Sequence, residues 1–143
     1  MKAHAEFNAV FGAGHIALAF LLVGLLLGCA SHKSSDAPPP PVAVQTARLT
    51  DLQQNRMIPV NSFSSHEGMA AVIQNLTIRD QMLKVELVRQ DNGLTIWKNA
   101  VKVPKAEVLV TGPTATLPVG DYTVKVSRAG MQPITFPFSI HAD

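Results

Sequence analysis

The C-terminal two thirds of the chain alternates apolar and polar residues over short stretches. Leu83, Val85 and Leu87 are separated by charged residues, a pattern typical of a strand with one buried face. A turn at 91–93 follows, in which Gly93 is free to take a positive φ, and apolar residues return at 94–97. Residues 83–98 therefore predict a β-hairpin.

Three more strands are predicted further along the chain. One covers 107–110 and is closed by a turn at 111–113, and the second covers 122–126. The third covers 134–140, where every second residue is apolar; Pro137 cannot donate a hydrogen bond, so it predicts an edge or solvent-facing position. Short strands at intervals of about 8–12 residues predict a mainly β fold, a small β-sandwich.

The segment 64–76 fits two structures. Met69, Val72, Ile73 and Leu76 follow helical spacing, and a Ser64/Glu67 pair fits a capping box. Alternation through 72–78 also fits a strand. We favour the strand, because it completes a sheet of the sandwich.

An uninterrupted apolar run lies near the N-terminus. Residues 16–27 contain no charged or strongly polar side chain, and Lys2 lies upstream. Twelve residues extend about 18 Å as a helix, short of the roughly 30 Å hydrocarbon core of a bilayer. The run therefore predicts a secretory signal peptide at 1–28 rather than a membrane span.

The chain has a single cysteine, and it directly follows the apolar run. Leu26-Leu27-Gly28-Cys29 resembles the lipobox of bacterial lipoproteins. The resemblance implies cleavage between Gly28 and Cys29, acylation of Cys29, and, since Ala30 follows, anchoring in the outer membrane of a Gram-negative cell facing the periplasm. Two or three acyl chains hold a protein firmly on a membrane. With no second cysteine, the exported chain has no internal disulfide.

A polar, proline-rich stretch follows Cys29. Four consecutive prolines at 38–41 favour a semi-rigid polyproline II spacer. We therefore expect a linker at 29–48 that holds a domain at 49–143 away from the lipid surface. The alternatives that this composition leaves open are a recognised proline ligand and a segment that threads peptidoglycan.

One stretch of the domain resembles a known family. Residues 117–131, "LPVGDYTVKVSRAGM", are similar to the signature of PEGA and carboxypeptidase-regulatory-type domains, with Met131 in place of the usual aromatic. The resemblance implies a transthyretin-like or Ig-like sandwich in which Gly120 permits a turn, Tyr122 packs at the rim of the core and Gly130 opens the next turn. Domains of this type are mostly structural or binding modules.

Composition and motifs give no indication of catalysis. The net charge is +2, which gives no reason to expect nucleic-acid binding. No metal-ligand spacing or phosphate-binding loop is present, so no cofactor is predicted. The stretch 64–67, "SSHE", contains residue types of a serine hydrolase, with Ser65 the candidate nucleophile, but lacks the surrounding G-x-S-x-G. Asn75-Leu76-Thr77 matches a glycosylation sequon that a bacterial lipoprotein would not normally use.

We therefore expect a non-catalytic outer-membrane lipoprotein whose sandwich binds other envelope proteins, as an accessory subunit of an assembly such as a secretion or conjugation system. Homo- or hetero-oligomers are both compatible with this role. Candidate partner-binding residues are Met57, Ile58, Pro59 and Val60, in a segment able to add a strand to an exposed edge, and Trp97. For Trp97, packing inside the hairpin is the competing role. The alternative function is binding of peptidoglycan or carbohydrate, or inhibition of a cell-wall hydrolase.

Overall fold

The structure is a computed structural model that describes residues 6–11 and 41–143. Within these ranges the chain forms nine strands and one short helix. In chain order they are β1 (Glu6–Phe11), β2 (Val42–Arg48), α1 (Leu49–Gln53), β3 (Ser62–Ser64), β4 (Met69–Asn75), β5 (Gln81–Arg89), β6 (Thr95–Val103), β7 (Val108–Pro113), β8 (Gly120–Ser127) and β9 (Ile134–His141).

The strands form two sheets. One sheet has the order β1-β7-β4-β2, and the other has the order β3-β9-β8-β5-β6. Neighbouring strands are antiparallel except β3 and β9, which are parallel. The predicted mainly β sandwich is confirmed.

The main core lies between the two sheets. The four-stranded sheet contributes residues such as Ile73 and Leu109, and the five-stranded sheet contributes residues such as Val85, Val124 and Ile140, all almost fully buried. Successive residues of a strand point to opposite faces, so the alternation in β5 and β8 accounts for this core. The four-stranded sheet has a second apolar face, where a smaller cluster is formed by Ala47, Leu52, Ala70, Val72, Val108 and Val110.

The predicted hairpin is present. β5 and β6 pair in antiparallel register, with Leu87 opposite Trp97. Gly93 has a φ of 67°, and the side-chain oxygen of Asn92 accepts a hydrogen bond from the backbone N–H of Leu94. The turn chemistry predicted for residues 91–93 is therefore confirmed.

The ambiguous segment is a strand, as we favoured. β4 covers Met69–Asn75 and lies between β2 and β7. Ser64 and Glu67 do interact reciprocally: the Glu67 carboxylate accepts from the Ser64 N–H at 2.8 Å, and the Ser64 carbonyl accepts from the Glu67 N–H at 3.0 Å. These contacts close a turn between β3 and β4 instead of starting a helix.

Two boundaries predicted from the sequence are wrong. The linker does not extend to residue 48, because Val42–Arg48 forms β2 and Val42 is fully buried in the core. The stretch 111–113 is not a turn, because β7 continues to Pro113 and its residues are buried. In both places, residues that are polar or that usually form turns lie inside a strand, because pairing with the neighbouring strands holds them there.

Pro137 lies where β9 has one neighbour only. It is opposite Thr123 of β8, whereas β3 pairs with β9 only from Ser139 to His141. The apolar residues of β9 share the face toward the core, and Pro137 is on the exposed face. The expected solvent-facing position is therefore confirmed.

Tyr122 in β8 forms a tyrosine corner. Its hydroxyl donates a 2.6 Å hydrogen bond to the carbonyl of Pro118, four residues earlier, as in other sandwich domains. The ring is fully buried and stacks on Phe138 with centroids 5.5 Å apart. Removal from solvent raises the pKa of the Tyr122 phenol. Gly130, which opens the next turn, has a φ of 75°.

β1 lies within the stretch predicted to be the signal peptide. It pairs antiparallel with β7 from Glu6 opposite Pro113 to Phe11 opposite Val108. The rest of the predicted signal peptide, Cys29 and nearly all of the linker lie outside the described residues. Of the helices in the described ranges, none is long and apolar enough to cross a membrane.

Candidate functional site

The predicted partner-binding segment 57–60 runs beside β2. The Val60 N–H donates to the Thr46 carbonyl at 2.8 Å, and the Thr46 hydroxyl donates to the Val60 carbonyl. Val60 is half-buried against the main core, and Met57 is half-buried against the smaller cluster. Ile58 and Pro59 are exposed. The segment is thus ordered by its own chain and covers the outer edge of β2, with Ile58 as its exposed apolar residue.

Trp97 lies in the main core. Its side chain is 7% exposed and packs between the sheets, and its indole N–H has no hydrogen-bond partner among the described residues. The structure therefore does not bring Trp97 to a surface shared with segment 57–60. The other aromatic residues of 41–143 are also inside: Phe63, Tyr122 and Phe138 are buried, and Phe136 is half-buried against the core.

A buried asparagine at the end of β4 organises the loop that follows. Asn75 is 1% exposed. Its amide nitrogen lies 2.8 Å from the Arg79 carbonyl and 3.0 Å from the carbonyls of Val103 and Pro104. Its side-chain oxygen accepts from the N–H and the hydroxyl of Thr77 at 2.9 and 2.8 Å. The sequon asparagine is therefore fully engaged inside the fold.

Large apolar residues on this loop and on the strand that follows it are exposed to solvent. Leu76 is 52% exposed, Ile78 is 88% exposed and Met82, at the start of β5, is 63% exposed. The three lie within seven consecutive residues, and we call them the apolar loop surface. Single exposed apolar residues are ordinary, but here Leu76 and Ile78 on the loop and Met82 on the strand that follows it lie close in sequence, so we treat them as a candidate binding surface.

A groove and a charged rim adjoin this surface. The groove is open, has a volume of about 330 Å³, and is lined by Met82, Leu83, Lys84, Ala100, Ser127, Arg128 and Ala129. On the rim, Asp80 forms a 2.9 Å ion pair with Lys102 and accepts from the Lys105 N–H at 3.1 Å. These hydrogen bonds, that of Lys102 first, lower the pKa of Asp80 below its ordinary value.

The apolar loop surface is at the end of the domain where the linker enters. The Leu76 N–H donates to the Pro41 carbonyl at 3.0 Å, and the Asn75 N–H donates to the Glu107 carbonyl at 2.9 Å. Pro41, the first described residue after position 11, therefore contacts the first residue of the loop.

A Ser-His-Asp cluster forms at the C-terminus of the chain. The Nδ1 of His66 pairs with the Asp143 carboxylate, and the Ser64 Oγ lies 3.1 Å from Nδ1 and 3.3 Å from Nε2 of the same ring. A hydrogen bond from Ser64, with further contributions from His66 and Ser65, lowers the pKa of Asp143.

This cluster lacks the geometry of a catalytic triad. A triad places the serine on one ring nitrogen and the carboxylate on the other, in a site sheltered from water. Here the Ser64 Oγ lies within 3.3 Å of both ring nitrogens, including the Nδ1 that Asp143 occupies, and His66 and Asp143 are exposed. Ser65, the candidate nucleophile from the sequence, contributes only to the Asp143 contact. The arrangement can join the C-terminus to the β3–β4 turn.

No group of three or more potential metal ligands occurs within residues 6–11 and 41–143. Gly28 and Cys29, the predicted cleavage and lipidation residues, lie outside these ranges, so their roles stay predictions. Sequence reasoning missed the apolar loop surface, since it assigned Leu76 and Ile78 to a strand. The one available signal was Asn75 followed by Thr77, a pair that forms local turns.

Comparison of the sequence with protein-family models and with curated proteins found no significant match.

Proposed function

We propose that this chain is a non-catalytic outer-membrane lipoprotein, tethered through Cys29, whose sandwich binds another envelope protein through the apolar loop surface. The observation that carries the proposal is the exposure of Leu76 and Ile78, on a loop held by the buried side chain of Asn75, and of Met82 at the start of β5. A loop ordered in advance loses little conformational entropy on binding, so its apolar side chains contribute most of their burial to affinity.

The charges around the surface are of both signs. Asp80 is paired with Lys102, Lys84 is paired with Glu86, and Glu107 ends the turn that begins at Pro104. An apolar centre with a polar rim of both signs is the usual anatomy of a protein interface.

The arrangement gives less support to carbohydrate binding. Sugar rings stack on exposed aromatic side chains, and those of residues 41–143 pack into the core. We therefore place partner docking first, with wall binding as the outcome that would replace it.

Photo-crosslinking in cells tests the proposal. A photoreactive residue replaces Ile78 in the full chain, and a matched probe replaces Asn92, an exposed residue at the opposite end of β5. We expect one dominant protein adduct at position 78 and none of that mass at position 92. Equal adducts at both positions, or lipid or glycan adducts alone at position 78, would contradict the proposal.

A further inference from the structure

The edges of the two sheets differ in how they are protected. An unprotected sheet edge offers unpaired N–H and C=O groups to any passing strand, so natural edges are short, charged, interrupted by proline or covered. β3 has three residues, and β6 carries the exposed lysines Lys98 and Lys102. At Thr46, the edge of β2 is covered by segment 57–60 through the hydrogen bonds between Thr46 and Val60.

Within residues 6–11 and 41–143, it is β1 that pairs with the outer edge of β7. The strand Val108–Pro113, "VLVTGP", contains no charged residue, and its proline is at its last position. One side of β7 pairs with β4, and the other pairs with Glu6–Phe11 along its whole length. Next to β7 both faces of the sheet are apolar, with Leu109 in the main core and Val108 and Val110 in the second cluster.

We propose that removal of the signal peptide uncovers the edge of β7, and that the mature protein binds there an extended, largely uncharged segment of a partner protein, added as an antiparallel strand. This inference rests on the proposed function, because cleavage before Cys29 would remove β1 with residues 1–28. In the uncleaved chain β1 then acts as a stand-in for the partner strand and keeps the edge closed until processing.

The seated strand indicates the chemistry of the occupant. β1, "EFNAVF", has one charged residue, at the end opposite Pro113, and supplies six residues in antiparallel register. In strand addition the backbone hydrogen bonds give affinity and the alternate side chains give specificity. A partner segment of about six residues with apolar residues beside Val108, Leu109 and Val110 fits the same position.

Hydrogen exchange on two forms of the full chain tests the inference. The first form is the chain extracted from membranes, and the second is Cys29→Ser, which lacks the thiol that lipidation requires and so keeps residues 1–28. We expect the amides of 108–113 that point away from β4 to exchange about tenfold or more faster in the processed form. The exposed amides of β6 are the internal control and exchange equally in both forms.

Peptides then identify the occupant. A synthetic peptide of residues 4–13 should restore the protection of β7 in the processed form. In a strand, successive N–H groups point to opposite edges. Two further versions of this peptide are each N-methylated at every second residue, so that each lacks the N–H groups of one edge. Only the version that lacks the N–H groups facing β7 should fail to restore the protection of β7. A scrambled peptide of the same composition should leave β7 unprotected.

Three outcomes would overturn the inference. If β7 stays protected in a processed monomer, its own chain covers the edge; if it stays protected in a processed dimer by native mass spectrometry, a second copy covers it. If the extracted chain still carries residues 1–28, the tether is wrong and β7 is never uncovered. The intact mass thus separates failure of the proposed function from failure of the edge inference.

Discussion

Replacement of Asn75 by alanine should unfold the loop 76–80, which carries Leu76 and Ile78, at a large cost in stability. Asn75 is buried, and its amide and carbonyl together hold the loop 76–80 against the end of β6. Its two amide hydrogens serve three carbonyl groups, and its oxygen accepts two bonds from Thr77. The two amide hydrogens and the two accepted bonds make four hydrogen bonds, each worth about 1 kcal/mol. Since the loop carbonyls regain water in the variant, the free energy of unfolding should fall by about 2–4 kcal/mol.

Urea denaturation followed by Trp97 fluorescence measures this loss, because the indole is buried in the folded state. The matched control is Asn92→Ala, which removes one exposed turn hydrogen bond to Leu94 and should cost about 0.5–1 kcal/mol. Asn75→Asp keeps the acceptor and places a carboxylate against three carbonyl oxygens, so it should cost at least as much as the alanine variant. If Asn75→Ala costs no more than Asn92→Ala, the loop does not depend on this side chain and our account of the surface is refuted.

Three further predictions concern the rest of the sandwich. Tyr122→Phe removes the hydrogen bond to Pro118 and leaves the stacked ring, so chemical denaturation should show a loss of about 1–2 kcal/mol. The pKa values of Asp80 and Asp143 are lowered in the folded state, so their ionised forms stabilise it. This stabilisation is present above the unfolded pKa near 3.8 and is lost as pH falls below it. The free energy of unfolding of Asp80→Asn and of Asp143→Asn should therefore fall less steeply with acid than that of the parent. Gly93→Ala meets no neighbouring atoms but must adopt a φ of 67°, so thermal unfolding should reveal a loss of about 1 kcal/mol.

The strands with regular alternation could be predicted from the sequence, and the reason is local. In β5 and β8 every second residue enters the core, and the turn before β6 has the residues that its backbone requires. Periodicity and turn chemistry act over a few residues, so one sequence is enough to identify them.

Other elements depend on partners that are distant in the chain. The prolines before β2 and the polar residues Gln45 and Thr46 within it predict a linker, yet the side chains of Gln45 and Thr46 are buried. Its pairing with β4 holds it in the sheet. Residues 111–113 are of types that usually form turns, so they predict that β7 ends at residue 110. In the structure, β4 pairs with β7 as far as Thr111, and β1 pairs with it as far as Pro113.

The candidate surface could not be predicted for the same reason. Alternation from Val72 to Ile78 indicated a continuous strand, whereas β4 ends at Asn75. The strand ends there because the Asn75 amide binds carbonyls of Val103 and Pro104, nearly thirty residues away. The Asn75 and Thr77 pair indicates a local turn but not that distant contact, so the exposure of Ile78 emerges only from the fold.

The tether at Cys29 is the claim on which both partner docking and the uncovered β7 edge depend. Intact-mass measurement of the chain extracted from membranes tests it most directly. Our account predicts a polypeptide that begins at Cys29 and carries the added mass of acyl chains. A chain that retains residues 1–28, with an unmodified Cys29 thiol, would contradict it.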